Sequence, residues 1–192
     1  MSNLMIIIAS TRPGRVGLPV GEWFAGRARE HGAFDVTVAD LAEWNLPFLD
    51  EPDHPRLHEY VQPHTERWSE AVDACDAFVF VMPEYNHGIN APLKNAIDYL
   101  HNEWARKPVA FVSYGGVAAG TRAVQMTKQI VVSLRMVPLN DAVSIPFVKT
   151  MIGDDGAFHP TDTVEQAVDP MLDELAAVAT AMRSVRESAQ PV

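Results

Sequence analysis

One cysteine in 192 residues leaves no partner for an internal disulfide, and no Cys/His cluster has the spacing of a zinc site. The chain is therefore expected to hold no metal, to work in a reducing cytoplasmic setting, and to use Cys75 as a core residue. Positive charge is scarce too: 15 Lys and Arg face 25 Asp and Glu, a net charge of −10. That balance argues against nucleic acid or an anionic membrane surface as partner. No lysine precedes Lys94, so the first strand–loop–helix cannot be a P-loop, which ends in Gly-Lys. The apolar run at 4–9 is too short for a bilayer and has neither a basic flank nor a cleavage site. Repeats and low-complexity linkers are absent as well. With 47% hydrophobic residues, residues 1–192 suit one α/β domain with a sizeable core, and 187–192 read as a frayed tail.

What is present alternates. "LMIIIAS", "DAFVFVMP" and "KPVAFVSYGG" are near-continuous apolar runs, as strands buried on both faces of a parallel sheet should be. "FDVTVADL" alternates more and suits a position nearer the edge, while "MVPLNDAVSIP" is a weaker fifth strand with an early proline. Between them, 16–30, 63–74, 91–103 and 121–134 space their apolar residues by three and four, and a final helix follows Thr163 with Gln166 completing a capping box. Five strands alternating with five helices require right-handed crossovers and a parallel sheet covered on both faces. Ligands of such sheets bind beyond the carboxyl ends of the strands.

Three loops leave strand ends with unusual chemistry. In "STRPGRVG", Ser10, Arg12 and Arg15 precede a helix starting near Val16, and residues 4–21 contain no acid. Hydroxyl, guanidinium and free helix N–H groups around one point make an anion site, best matched by a phosphate. A dinucleotide fingerprint fails on spacing, although Asp40 stands where a ribose-binding acid would. In "PEYNHGINAP", Pro83 ends a strand, Glu84, Tyr85 and Asn86 form a loop with a flat aromatic face, and Asn90 can cap the next helix. In "SYGG", Gly115 and Gly116 after Ser113 let the backbone approach a planar ligand. Phosphate, ring edge and close backbone together describe FMN.

These stretches resemble the NADPH-dependent FMN reductase family of flavodoxin-like proteins, and the likeness spans essentially the whole chain through "ASTRPGRVG", "PEYNHGINAPLKNAIDYL" and "SYGG". The resemblance implies a flavodoxin-like three-layer sandwich, its five-stranded parallel sheet in the order 2-1-3-4-5. It also implies noncovalent FMN, NADPH or NADH as electron donor, and a homodimer or homotetramer. By position, Ser10, Arg12 and Val16 would hold the phosphate, with Arg15 beside them. Pro83, Glu84, Tyr85 and Asn86 would line the ring, and Ser113, Gly115 and Gly116 its other edge. Ala9 departs from the glycine common in the family, and His87-Gly88 from a pair that often contains serine.

A flavin needs position and electrostatics more than protein acids, so no catalytic side chain is expected. The expected reaction is ping-pong transfer from NAD(P)H to a quinone, free flavin or another small acceptor. The rival is a flavodoxin-type FMN electron carrier serving a protein partner. Trp44, Leu46, Phe48 and Leu49 in a proline-rich loop, and Tyr99 with Trp104, are candidate contacts for the active-site roof or for subunits.

Overall fold

In the computed structural model, which describes residues 1–188, five strands run in chain order as β1 (Ser2–Ile8), β2 (Phe34–Asp40), β3 (Ala77–Pro83), β4 (Pro108–Tyr114) and β5 (Val137–Ile145). All neighbours pair parallel, in the order β2-β1-β3-β4-β5. The helices are α1 (Gly17–His31), α2 (Leu41–Trp44), α3 (Pro63–Asp73), α4 (Ala91–Asp98), α5 (Thr121–Ser133), α6 (Asp162–Gln166) and α7 (Val168–Ser188).

The two-residue period of the strands divides the core. Leu4 and Ile6 of β1, Val79 and Val81 of β3, and Ala110 and Val112 of β4 pack with Val20 and Phe24 of α1 and Leu172 and Leu175 of α7. Met5 and Ile7, Phe78 and Phe80, and Val109 and Phe111 point the other way, onto α3, α4 and α5. The second layer is the bulkier, filled by Trp68, Tyr99 and Trp104, all fully buried. Cys75 belongs to this layer, as expected, and burial raises its thiol pKa.

Several boundaries differ from the expected ones, each for a local reason. The expected helix over 91–103 stops at Asp98, because the indole N–H groups of Trp68 and Trp104 donate to the carbonyls of Ala96 and Ile97 at 2.9 and 3.1 Å. The final helix is interrupted at Ala167: Pro170 has no N–H for the carbonyl four residues earlier, so α6 ends at Gln166 and α7 begins anew. The Thr163–Gln166 capping box does not form, since the helix starts one residue after Thr161. Tyr99 and Trp104 are interior, not interface: the Tyr99 hydroxyl donates to Pro47 O and Asp50 Oδ1. Of the proposed tail, residues 187–188 belong to α7, and 189–192 lie outside the described residues.

The amino-terminal edge of the sheet is tied to α7 through Asp76, which accepts from the Asn3 N–H and from Arg183 and Arg186. Burial favours the neutral acid, but these donors outweigh it and hold the carboxyl below the ordinary 3.8. A depressed folded-state pKa contributes stability that is complete above the unfolded value and is lost as pH falls through the folded one. Asp76→Asn should therefore lower stability at neutral pH and shrink the loss on acidification below about pH 4. Urea midpoints measured across the acid range read both effects, and an unchanged acid limb would contradict the assignment.

Candidate active site

Four loops at the carboxyl ends of the strands enclose a cleft of about 370 Å³, within the range of small-molecule sites. Ser10, Arg12, Arg15 and Val16 come from the loop after β1, and Pro83, Glu84 and Tyr85 from the loop after β3. Tyr114, Gly115 and Gly116 follow at the end of β4, and Phe147 to Thr150 lie beyond β5. β1 and β3 are the neighbours at which strand order reverses, where open parallel sheets bind their ligands.

The first loop turns through Arg12-Pro13-Gly14-Arg15. The Arg15 N–H bonds Arg12 O at 3.1 Å and Gly14 takes φ +68°, the type II signature of proline second and glycine third. This turn separates the two arginines by role. Arg12 is exposed at the rim of the cleft. Arg15 folds back, donating to the Ser10 carbonyl at 2.6 Å and to both carboxylate oxygens of Asp40. The Asp40 contact, set against the cost of burial, raises the Arg15 pKa further. Register makes the pair, since Ile8 at the end of β1 lies opposite Asp40 at the end of β2. Asp40 also accepts from Ala42 N at the start of α2, so its carboxylate is committed and the ribose-binding role does not arise.

Beyond this turn, α1 begins with no side-chain cap and no acid in its first turn. Its amino-terminal N–H groups and the positive end of its dipole face the cleft without an internal counter-charge. The Tyr114 side chain reaches the same place. Its hydroxyl is buried without a hydrogen-bond partner among the described residues, and burial raises its pKa, which keeps the proton on.

The second loop is a two-residue hairpin. Tyr85 and Gly88 exchange backbone hydrogen bonds at 3.1 and 3.0 Å, and Asn86 and His87 both adopt positive φ, +50° and +66°, as a type I′ turn requires. This puts Asn86 and His87 at an exposed tip, outside the lining of the cleft, while Tyr85 faces it. Glu84 turns its carboxylate away, onto the start of α5: it accepts from Arg122 N at 3.0 Å, Ala123 N at 3.4 Å and the Arg122 guanidinium at 2.9 Å. Burial opposes ionisation of Glu84, but these donors prevail and its pKa lies below the ordinary carboxylate value. Glu84, the one carboxylate in the cleft lining among the described residues, is thus already paired, as is Asp40 behind Arg15. Asn90 stands at the N-cap position of α4 but makes no capping side-chain hydrogen bond; its Nδ2 donates to Ala9 O at 2.7 Å and ties the second loop to the first. Ala9 itself is buried with φ outside the positive range, so no glycine is needed there.

In the third loop Ser113 stands apart from the cleft, fully buried, its hydroxyl donating to Ala119 O at 2.8 Å. Gly115 is needed for close packing within the chain: a Cβ would come within 3.2 Å of Gly120 N. Gly116 differs, because a Cβ there would meet nothing within 4 Å, which leaves open space on the cleft side. The fourth contribution, Phe147 to Thr150, is one that sequence reasoning missed. Phe147 N and Val148 N donate to Gly116 O and Gly115 O, stitching this segment to the third loop. Its signal was position alone, since "PFVKT" follows the end of a parallel strand.

Residues 2–150 match the family described as NADPH-dependent FMN reductase. The chain belongs to that family. Family membership makes it an oxidoreductase that works with FMN and NAD(P)H. An NAD(P)H-dependent FMN reductase of Nectria sp. is 35% identical over 153 residues, covering 77% of this chain and 76% of that protein. One from Schizosaccharomyces pombe is 36% identical over 155 residues, covering 79% and 77%. The flavoenzyme NAD(P)H:(acceptor) oxidoreductase of Paracoccus denitrificans superposes with a TM-score of 0.75 at 18% identity, over 95% of this chain and 99% of that one, which is a likeness of fold.

The FMN reductase site passes a physical test for its flavin. The phosphate end of the cleft offers an uncapped helix start, Arg12 and an unpartnered tyrosine hydroxyl, with no free carboxylate beside them. Toward the other loops it offers Tyr85, Pro83 and the open face above Gly116.

Proposed function

We propose that this chain holds FMN in the cleft between its four strand-end loops and transfers electrons from NAD(P)H to quinones, free flavin or similar small acceptors. The observation that carries the reading is the asymmetry of the cleft: an anion cradle at one end, and an apolar and backbone-lined slot at the other. Ser10, Arg12 and the amides from Val16 onward take the phosphate, with Arg15 bracing the turn through Asp40. Pro83 and Tyr85 flank the ring, Glu84 anchors their loop on α5, Gly116 admits the opposite edge, and Gly115 lines it through its backbone while packing against Gly120. Asn86 shapes the hairpin and Ser113 closes the third loop, so both act through the backbone they position.

Bound FMN supplies two-electron chemistry, and one shared open face makes donor and acceptor take turns, a ping-pong order. The protein positions the reactants, and no side chain serves as general acid or base. Membership of the FMN reductase family, a reducing cytoplasm for the buried Cys75 thiol and one domain over 1–192 complete the reading. Exposed Phe48 and Leu49 support a homodimer or homotetramer, which sedimentation would report.

The cofactor released by denaturing the purified protein is expected to be FMN in stoichiometric amount, and FAD in its place would overturn the assignment. Parallel double-reciprocal plots test the ping-pong order, and intersecting lines reject it. His87 tests the absence of an acid. Its left-handed backbone costs about 1 kcal/mol that glycine avoids, part of which glycine's extra unfolded-state freedom takes back. His87→Gly should therefore raise stability by about 0.5 kcal/mol while changing benzoquinone turnover less than about threefold. A hundredfold loss, the scale of general acid catalysis, would make His87 a catalytic residue.

A further inference from the structure

Tyr114 closes β4 on the face that packs against α1, because residues 110, 112 and 114 share one side of the strand. Its ring therefore runs beneath the end of β3 toward the first turn of α1, where Gly17 stands. A Cβ on Gly17 would overlap the Tyr114 hydroxyl and lie 3.2 Å from Ser10 Cβ. The hydroxyl thus occupies the space that a side chain at the helix start would fill, next to Ser10. Tyr114 is only 4% exposed, and its hydroxyl makes no hydrogen bond of full geometry among the described residues, the Ser10 side chain being the polar group beside it. A buried hydroxyl without a partner costs free energy comparable to a lost hydrogen bond unless a ligand supplies one. No acid caps this helix to take the proton.

We propose that Tyr114 is a phosphate-binding residue of the flavin site, its hydroxyl donating to the terminal phosphate group at the start of α1, with Gly17 kept bare to admit it. The assignment rests on the flavin reading above and deepens it, because it makes discrimination between FMN and riboflavin depend on a residue of the third loop. Ser10 and the α1 amides hold the phosphate from one side, and Tyr114 meets it from below. The hydroxyl stays protonated in this arrangement and moves no proton during turnover.

The test compares two ligands with the apo-protein by fluorescence quenching. FMN carries the phosphate, and riboflavin has the same ring and ribityl chain without it. Tyr114→Phe should raise the Kd for FMN tenfold or more, the scale of a hydrogen bond to a charged group, and leave that for riboflavin within twofold. Gly17→Ala provides a second variant, since it displaces the same hydroxyl. It should lose FMN selectively when made alone, and should add a smaller further loss on a Tyr114→Phe background, where the overlap with the hydroxyl is gone and only the 3.2 Å contacts with the ring carbon and Ser10 Cβ remain. If Tyr114→Phe weakens both ligands equally, or neither, the phosphate contact does not exist while the flavin site stands. If the wild-type protein binds neither ligand, the flavin reading itself falls and this assignment with it.

Discussion

Arg12→Ala is expected to weaken FMN binding by about 2 kcal/mol, roughly thirtyfold in Kd, the worth of one charge-assisted hydrogen bond. The melting temperature of the apo-protein should not move, because Arg12 is exposed at the turn and has no hydrogen bond to another side chain among the described residues. The two readouts together carry the claim. Loss of affinity with unchanged stability makes Arg12 a ligand contact, and unchanged affinity in a fluorescence titration makes it a solvated surface residue.

The second large effect is its mirror image. Asp40→Ala should cost about 3 kcal/mol of stability, as removing one partner of a buried ion pair does. It strands the Arg15 guanidinium, whose side chain is 14% exposed, and also removes the acceptor for Ala42 N. Arg15→Ala should be comparably damaging, and the double variant should fall well short of the sum, because the two residues act as a unit. Denaturant unfolding of the three variants measures the coupling. Additive losses would mean that the pair does not hold the first turn together, and Arg15 would return to the phosphate.

These two arginines show what the sequence could and could not reveal. Both stand in an acid-free loop beside a helix start, and nothing in their spacing separates them. Only the parallel pairing of β1 with β2 brings Asp40, 25 positions away, against Arg15 and leaves Arg12 unclaimed. The three central strands were legible because burial on both faces leaves an unbroken apolar run, and the edge position of β2 because its outer half alternates. Helix ends were less legible. The end of α4 depends on two indoles from elsewhere, whereas the break before α7 could have been read from Pro170. Within the site, the loops after β1, β3 and β4 announced themselves through polar and glycine chemistry. The segment 147–150 did not, because Phe147 looks like a core residue until the fold exposes it at the mouth of the cleft, and Val148 beside it is in fact buried in the core.

Glu84 carries a related lesson. Its neighbours in sequence suggest a ring contact, but its carboxylate secures α5, so its contribution to the site is the course of the backbone. Loops of this kind hold a ligand by the amides and flat faces they present, and their charged side chains are spent on holding the loop in place.

The central claim is an enzyme that takes electrons from NAD(P)H into a bound FMN. Anaerobic titration of the purified, FMN-loaded protein with NADPH, followed by visible absorbance, tests it most directly. The oxidised-flavin band should bleach stoichiometrically within the mixing time of the experiment and return in full when benzoquinone is added. A spectrum that shows bound flavin but stays oxidised under excess NADPH and excess NADH would contradict the account, and would make the chain an electron carrier.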